Sequence, residues 1–91
     1  MIVEIDVHDS AGYEEYKKLT PATLVPFGGK FVVRGGNPEL IEGLPAPKRI
    51  VVLQFENKEK AKAWYNSAEY QKAVRIRQAT SVTRMILADG V

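Results

Sequence analysis

Arg77 is the residue whose placement says most about chemistry. Helical spacing sets it on one stripe with Tyr70, Ala73 and Val74, which turns its guanidinium toward the core. Burying that group without a partner costs on the order of several kcal/mol. Two arrangements would meet the cost. One is an internal salt bridge, or hydrogen bonds to loop carbonyls. The other is an anionic ligand, because the planar fork of arginine suits carboxylates and phosphates. Trp64, Tyr65 and Tyr70 flank a helix break at Asn66-Ser67. They are either core packing, with hydroxyl and indole groups finding partners at the edge, or the wall of a small apolar pocket. Arg34 opens the triplet Arg34-Gly35-Gly36, which occurs once and is no RNA-binding repeat; its glycines suit a bulge or turn. Arg77, Trp64, Tyr70 and Arg34 are the ligand-binding candidates.

No residue set stands out as catalytic. Asp6 and His8 are the candidates for acid–base work, since histidine titrates near neutrality. Both have a simpler account. Glu4, Asp6 and His8 share a face of the first strand, Arg84 lies on its expected antiparallel neighbour, and an acid–arginine cross-strand pair fits there. His8 sits beside Asp9, a helix cap, and one histidine without a nucleophile makes no triad. Glu42 and Arg49 flank a proline-rich loop and are placed to pair across it, at what would also be a site entrance.

Absences narrow the chemistry further. There is no cysteine, so disulfides, thiolate catalysis and zinc–thiolate sites are excluded. A single histidine excludes a poly-histidine metal cage. Neither G-x-x-x-x-G-K-[ST] nor G-x-G-x-x-G occurs, so no phosphate-cradling loop and no cofactor are expected. The net charge of +2 is spread among interspersed acids and bases, which argues against a nucleic-acid partner. No apolar run exceeds four residues, far short of the about 20 needed to span a membrane. The start Met1-Ile2-Val3-Glu4-Ile5-Asp6 carries acids where a secretory signal would be basic and then apolar, so the expected location is cytoplasmic.

The elements that must hold these residues are legible from periodicity. Residues 2–7 alternate, with Val3, Ile5 and Val7 on one face, and read as a strand. Asp9 caps a helix carrying Tyr13, Tyr16, Leu19 or Thr20, and Leu24 at helical spacing, with Glu14 and Glu15 set to pair with Lys17 and Lys18. Thr20-Pro21 predicts a kink or restart, and Pro26, Gly28 and Gly29 end the helical region. Residues 30–34 form a second strand, broken at Gly35-Gly36-Asn37-Pro38, with 39–42 as its continuation past a bend. Residues 48–55 form a third, central strand. Asn57 caps a helix with Ala61, Trp64, Tyr65 and Ala68 on one stripe, Ser67 caps a second segment, and residues 81–88 form the last strand.

The order βαββαβ over residues 1–91 predicts one α+β domain, a ferredoxin-like four-stranded antiparallel-type sheet. Right-handed crossovers put both helical regions on one face. The other face then carries either Ile50 and Val52 or Val51, Leu53 and Phe55, with Ile86 or Leu87 beside them. Burying each such side chain is worth about 1.5–3 kcal/mol. A second copy of the chain is the simplest cover, because two-fold dimers are the commonest assembly.

The series Arg34-Gly35-Gly36, Glu42-Gly43, Arg49 leading a strand that ends in Phe55, then Ala61-x-x-Trp64-Tyr65-x-Ser67-x-x-Tyr70 and Arg77 resembles the DUF1330 family of small bacterial proteins across nearly the whole chain. The resemblance implies a protomer of the dimeric α/β-barrel class, in which two sheets pack face to face. It implies no activity. Ser10 departs from the proline that many members carry after the capping acid. The expected function is binding of a small acidic or aromatic molecule in a pocket lined by arginine and aromatics. The alternative is a cofactor-independent enzyme, monooxygenase- or isomerase-like by fold analogy, acting on a small phenol, lactone or carbonyl compound. An RNA-recognition role ranks last, because the third strand, Lys48-Arg49-Ile50-Val51-Val52-Leu53-Gln54-Phe55, is aliphatic where stacking rings belong.

Overall fold

A computed structural model describes all of residues 1–91. Four strands, β1 (Ile2–Val7), β2 (Lys30–Gly35), β3 (Arg49–Gln54) and β4 (Ser81–Ile86), form one sheet in the order β2-β3-β1-β4, every neighbouring pair antiparallel. Three helices, α1 (Ser10–Leu24), α2 (Lys58–Tyr65) and α3 (Ala68–Thr80), complete a ferredoxin-like fold. The caps are those the sequence predicts: the side chains of Asp9, Asn57 and Ser67 accept from the amides of Gly12, Lys60 and Tyr70.

Alternation along the strands decides what lies under the helices. Val3 and Ile5 from β1 and Val51 and Leu53 from β3 are buried with Tyr13, Tyr16 and Leu24 of α1, Trp64 of α2, and Tyr70, Ala73 and Val74 of α3. Ile50 and Val52 therefore face the other way. That open side also carries Ile2, Val82 and Ile86, which are 40%, 70% and 37% exposed. The Glu4–Arg84 pair expected across β1 and β4 is present at 3.7 Å.

Three expectations are corrected. Residues 39–42 do not extend β2, and residues 36–48 contain no strand. Gly35, Gly36 and Asn37 all take positive φ, which turns the chain away from its ladder. Glu42 does not pair with Arg49; it is exposed on that loop and in none of the ion pairs. Finally, of the kink or restart expected at Pro21, the restart does not occur, and α1 runs unbroken from Ser10 to Leu24. Proline has no N–H to give to the carbonyl of Lys17, four residues earlier. The Arg34 guanidinium supplies the missing donor instead, with Nη2 at 3.0 Å from Lys17 O. The Thr20 hydroxyl donates to Tyr16 O at 2.8 Å on the same turn.

Candidate ligand-binding site

A bulge in β2 aims the first element of the site. Phe31 pairs with Leu53 and Arg34 with Val51, yet only Val33 stands opposite Val52. The extra residue lets Phe31 and Arg34, three apart, share the helix side of the sheet, where strict alternation would separate them. The Arg34 guanidinium then stacks over the Phe31 ring, 4.5 Å from its centroid, and reaches α1 at Lys17. Arg49 enters from the start of β3. Its guanidinium crosses Gly35, where a Cβ would lie 2.8 Å from Arg49 Nη1, and sits 5.7 Å from the centre of the Tyr13 ring. Gly35 thus serves twice, through a φ of +83° and through the space it leaves.

Between α1 and the sheet these side chains enclose a narrow cavity of about 20 Å³, floored by Val3, Ile5, Val51 and Leu53 and walled by Tyr13, Tyr16, Phe31, Trp64 and Met85. That is room for about one water-sized group. Lys17, Arg34 and Arg49 stand at its rim and also line an outer recess of about 400 Å³, with Lys18 and Glu14. Four cations and one acid therefore meet in the recess. Glu14 is engaged by Lys17 at 3.2 Å, and Lys18 by Glu15 at 3.5 Å. Neither arginine has a carboxylate partner, and the Nε of Arg49 is buried without an acceptor. A larger groove of about 760 Å³ lies at another edge, between residues 87–91 and the β3–α2 connection, but its Lys58 and Asp89 pair with each other at 3.2 Å.

Behind the cavity wall lies a chain of polar groups. Arg77 is 5% exposed and has no carboxylate or carbonyl partner, so neither the internal salt bridge nor the loop-carbonyl bonds occur. Its Nη1 donates to the Tyr70 hydroxyl at 2.8 Å and touches Met85 Sδ at 3.3 Å, while its Nε has no partner. Tyr70 Oη lies 2.7 Å from Tyr16 Oη. Trp64 stacks on Tyr70 with ring centroids 3.8 Å apart and donates from Nε1 to Thr23 Oγ1 at 3.0 Å. Burial pushes the Tyr70 phenol well above its ordinary value, and Tyr16 adds to the shift. Burial, then Tyr16, raises Tyr13 as well, with Arg49 opposing. Burial is the largest influence on Arg77 and works against its charge, the oxygens of Tyr70 and Tyr16 act in the opposite sense, and the group is held protonated.

Of the ligand-binding candidates, Arg34 and Trp64 line the cavity, while Tyr70 and Arg77 lie one layer behind it. Asp6 and His8 are elsewhere. Asp6 is on the open face of the sheet, 3.4 Å from Lys48, and His8 is exposed at the end of β1, where its backbone N–H donates to Thr80 O. Tyr13, Tyr16 and Lys17 belong to the site although their spacing reads as a core stripe and a solvated face. The one local signal, for Lys17 alone, was Pro21, which leaves the carbonyl of Lys17 without its helical donor.

A four-stranded antiparallel sheet with its helices on one side places the chain in the ferredoxin-like class of fold. The chain belongs to the family described as Domain of unknown function (DUF1330), whose model matches residues 1–91. Its fold is similar to that of a crystal structure of a protein of unknown function from Rhodopseudomonas palustris, with a TM-score of 0.72 at 14% identity, covering 97% of this chain and 81% of that one. A search of curated proteins gave no match. No helix is long and apolar enough to cross a membrane.

Proposed function

We propose that this protein binds a small organic anion, with its charged group in the recess between Arg34 and Arg49 and a slim part reaching toward the aromatic cavity. The observation that carries this reading is the pair of arginines that share one recess with Lys17 and have no carboxylate of their own. Like charges held together are relieved by an anion, and guanidinium groups bind carboxylates in fork geometry. The inner volume of about 20 Å³ selects for compact groups. A flexible thioether, Met85, lines it and can yield to somewhat larger ones.

The working unit in this reading is a pair of chains. Ile2, Ile50, Val52, Val82 and Ile86 give the open sheet face an apolar surface that a second copy would cover, making a dimeric α/β barrel. Sedimentation at micromolar concentration tests the pairing, and a stable lone protomer would end it.

Calorimetric titration with short carboxylates, alongside the fluorescence of Trp64, tests the binding. Each charge-assisted hydrogen bond is worth about 1.5–3 kcal/mol. Arg34→Ala and Arg49→Ala are therefore expected to weaken binding by about tenfold or more, with Lys58→Ala, at the distant groove, as the silent control. Equal binding by all four proteins refutes the site.

A further inference from the structure

We infer that Tyr16 points its phenolic proton into the cavity, so that the innermost group of the bound anion is a hydrogen-bond acceptor, a carbonyl or carboxylate oxygen, and not a donor without a lone pair such as an ammonium or amide N–H. This rests on the anion reading above and adds to it the direction of the inner hydrogen bond. The direction follows from counting donors. A guanidinium has N–H groups and no acceptor, so the 2.8 Å contact from Arg77 Nη1 makes Tyr70 Oη an acceptor. Tyr70 is wholly buried, and its own proton must go somewhere. The other hydrogen-bond contact of its hydroxyl is Tyr16 Oη, at 2.7 Å. Tyr16 therefore receives from Tyr70, and its own proton has no acceptor in the protein. Tyr16 and Met85 both line the cavity, and the Met85 sulfur takes the other contact of Arg77 Nη1, so the cavity wall reaches the Arg77–Tyr70 pair that the Tyr16 hydroxyl meets.

The relay thus runs one way, Arg77 to Tyr70 to Tyr16 to ligand. An ammonium or amide N–H on the ligand would meet a proton there, and a methyl would leave the hydroxyl unpaired. An oxygen lone pair completes the chain, and a cavity of about 20 Å³ admits one such atom. Arg77 and Tyr70 are positioning residues, and Tyr16 is the group that touches the ligand. The class that fits is the short oxo-acid: a carboxylate for the arginine rim, with an oxo group one or two bonds further in.

Pyruvate and isobutyrate test this. They carry the same charge and nearly the same shape, but one has a keto oxygen where the other has a methyl. The wild type is expected to favour pyruvate by about three- to tenfold, the worth of one hydrogen bond. Tyr16→Phe should erase that ratio, and Arg34→Ala should weaken both anions while preserving it. An equal affinity in the wild type, or an unchanged ratio in Tyr16→Phe, overturns the inference. Failure of both anions to bind overturns the anion reading and takes the assigned ligand with it. The relay itself is read without ligand, from nuclear Overhauser contacts of the phenolic protons in the unmutated protein. The Tyr70 proton should lie in the bridge and the Tyr16 proton outside it; the reverse assignment overturns the inference whatever the anions do.

Discussion

Arg77→Met should leave the protein as stable as the wild type, or make it more stable. The side chain is 5% exposed and its guanidinium has no carboxylate nearby. What it gains is one charge-assisted bond to the Tyr70 hydroxyl and a contact with the Met85 sulfur. The bond is worth about 1.5–3 kcal/mol. Against it stands the desolvation of the guanidinium, on the order of several kcal/mol, with its Nε left unpaired. Methionine is flexible, of similar length and free of that penalty. Tyr70 would lose a donor but keep Tyr16 as the acceptor of its own proton. The two contributions roughly cancel, so unfolding free energy is expected within about 1 kcal/mol of wild type, or above it. Urea unfolding followed by the single tryptophan, Trp64, measures this. With a slope of about 1–2 kcal/mol/M for a chain of this size, the midpoint should fall by less than about 1 M. A loss of more than about 3 kcal/mol, the usual cost of breaking a compensated buried pair, would refute the reasoning and make Arg77 a keystone of the core.

Two other predictions concern stability. The Lys17 carbonyl is coupled to both Pro21 and Arg34, so Arg34→Ala should cost about 1 kcal/mol in the wild type and nearly nothing in a Pro21→Ala background, where a backbone amide is restored; a double-mutant cycle by urea unfolding measures the difference, and a coupling of zero would show the Arg34 contact to be idle. Tyr13 and Tyr70 have folded values raised above the unfolded phenol value of about 10. The sign is that of a group kept protonated by folding: its stabilisation is complete below the unfolded value and is lost as pH rises above it toward the folded one. Unfolding free energy should therefore fall from about pH 10 upward, and ultraviolet titration should show these two phenols ionising late; an ordinary titration of all four tyrosines would contradict their burial.

Much of the fold was written in local pattern. Alternation in β1, the caps at Asp9, Asn57 and Ser67, and the stripe through Trp64, Tyr70 and Arg77 each depend on neighbours a few residues away, and those survive into the structure. The βαββαβ order then leaves few topologies, which is why the open face could be anticipated. Local pattern misled where a distant group intervened. Thr20-Pro21 reads as a kink or restart, a fresh cap followed by proline, and on its own helix the carbonyl of Lys17 loses its donor. A guanidinium from β2 supplies one, and α1 runs on.

The sequence by itself determined the ingredients: a buried arginine on an aromatic stripe, a second arginine before two glycines, no thiol and only one imidazole. Only the tertiary structure decided which arginines face a cavity. A one-residue bulge in β2 rotates Arg34 to the helix side, and Gly35 leaves space for Arg49. The tyrosine pair that separates Arg77 from that cavity joins residues 54 positions apart, Tyr16 and Tyr70. Register, bulges and contacts across such separations arise from the packing of whole elements, and no spacing along the chain encodes them.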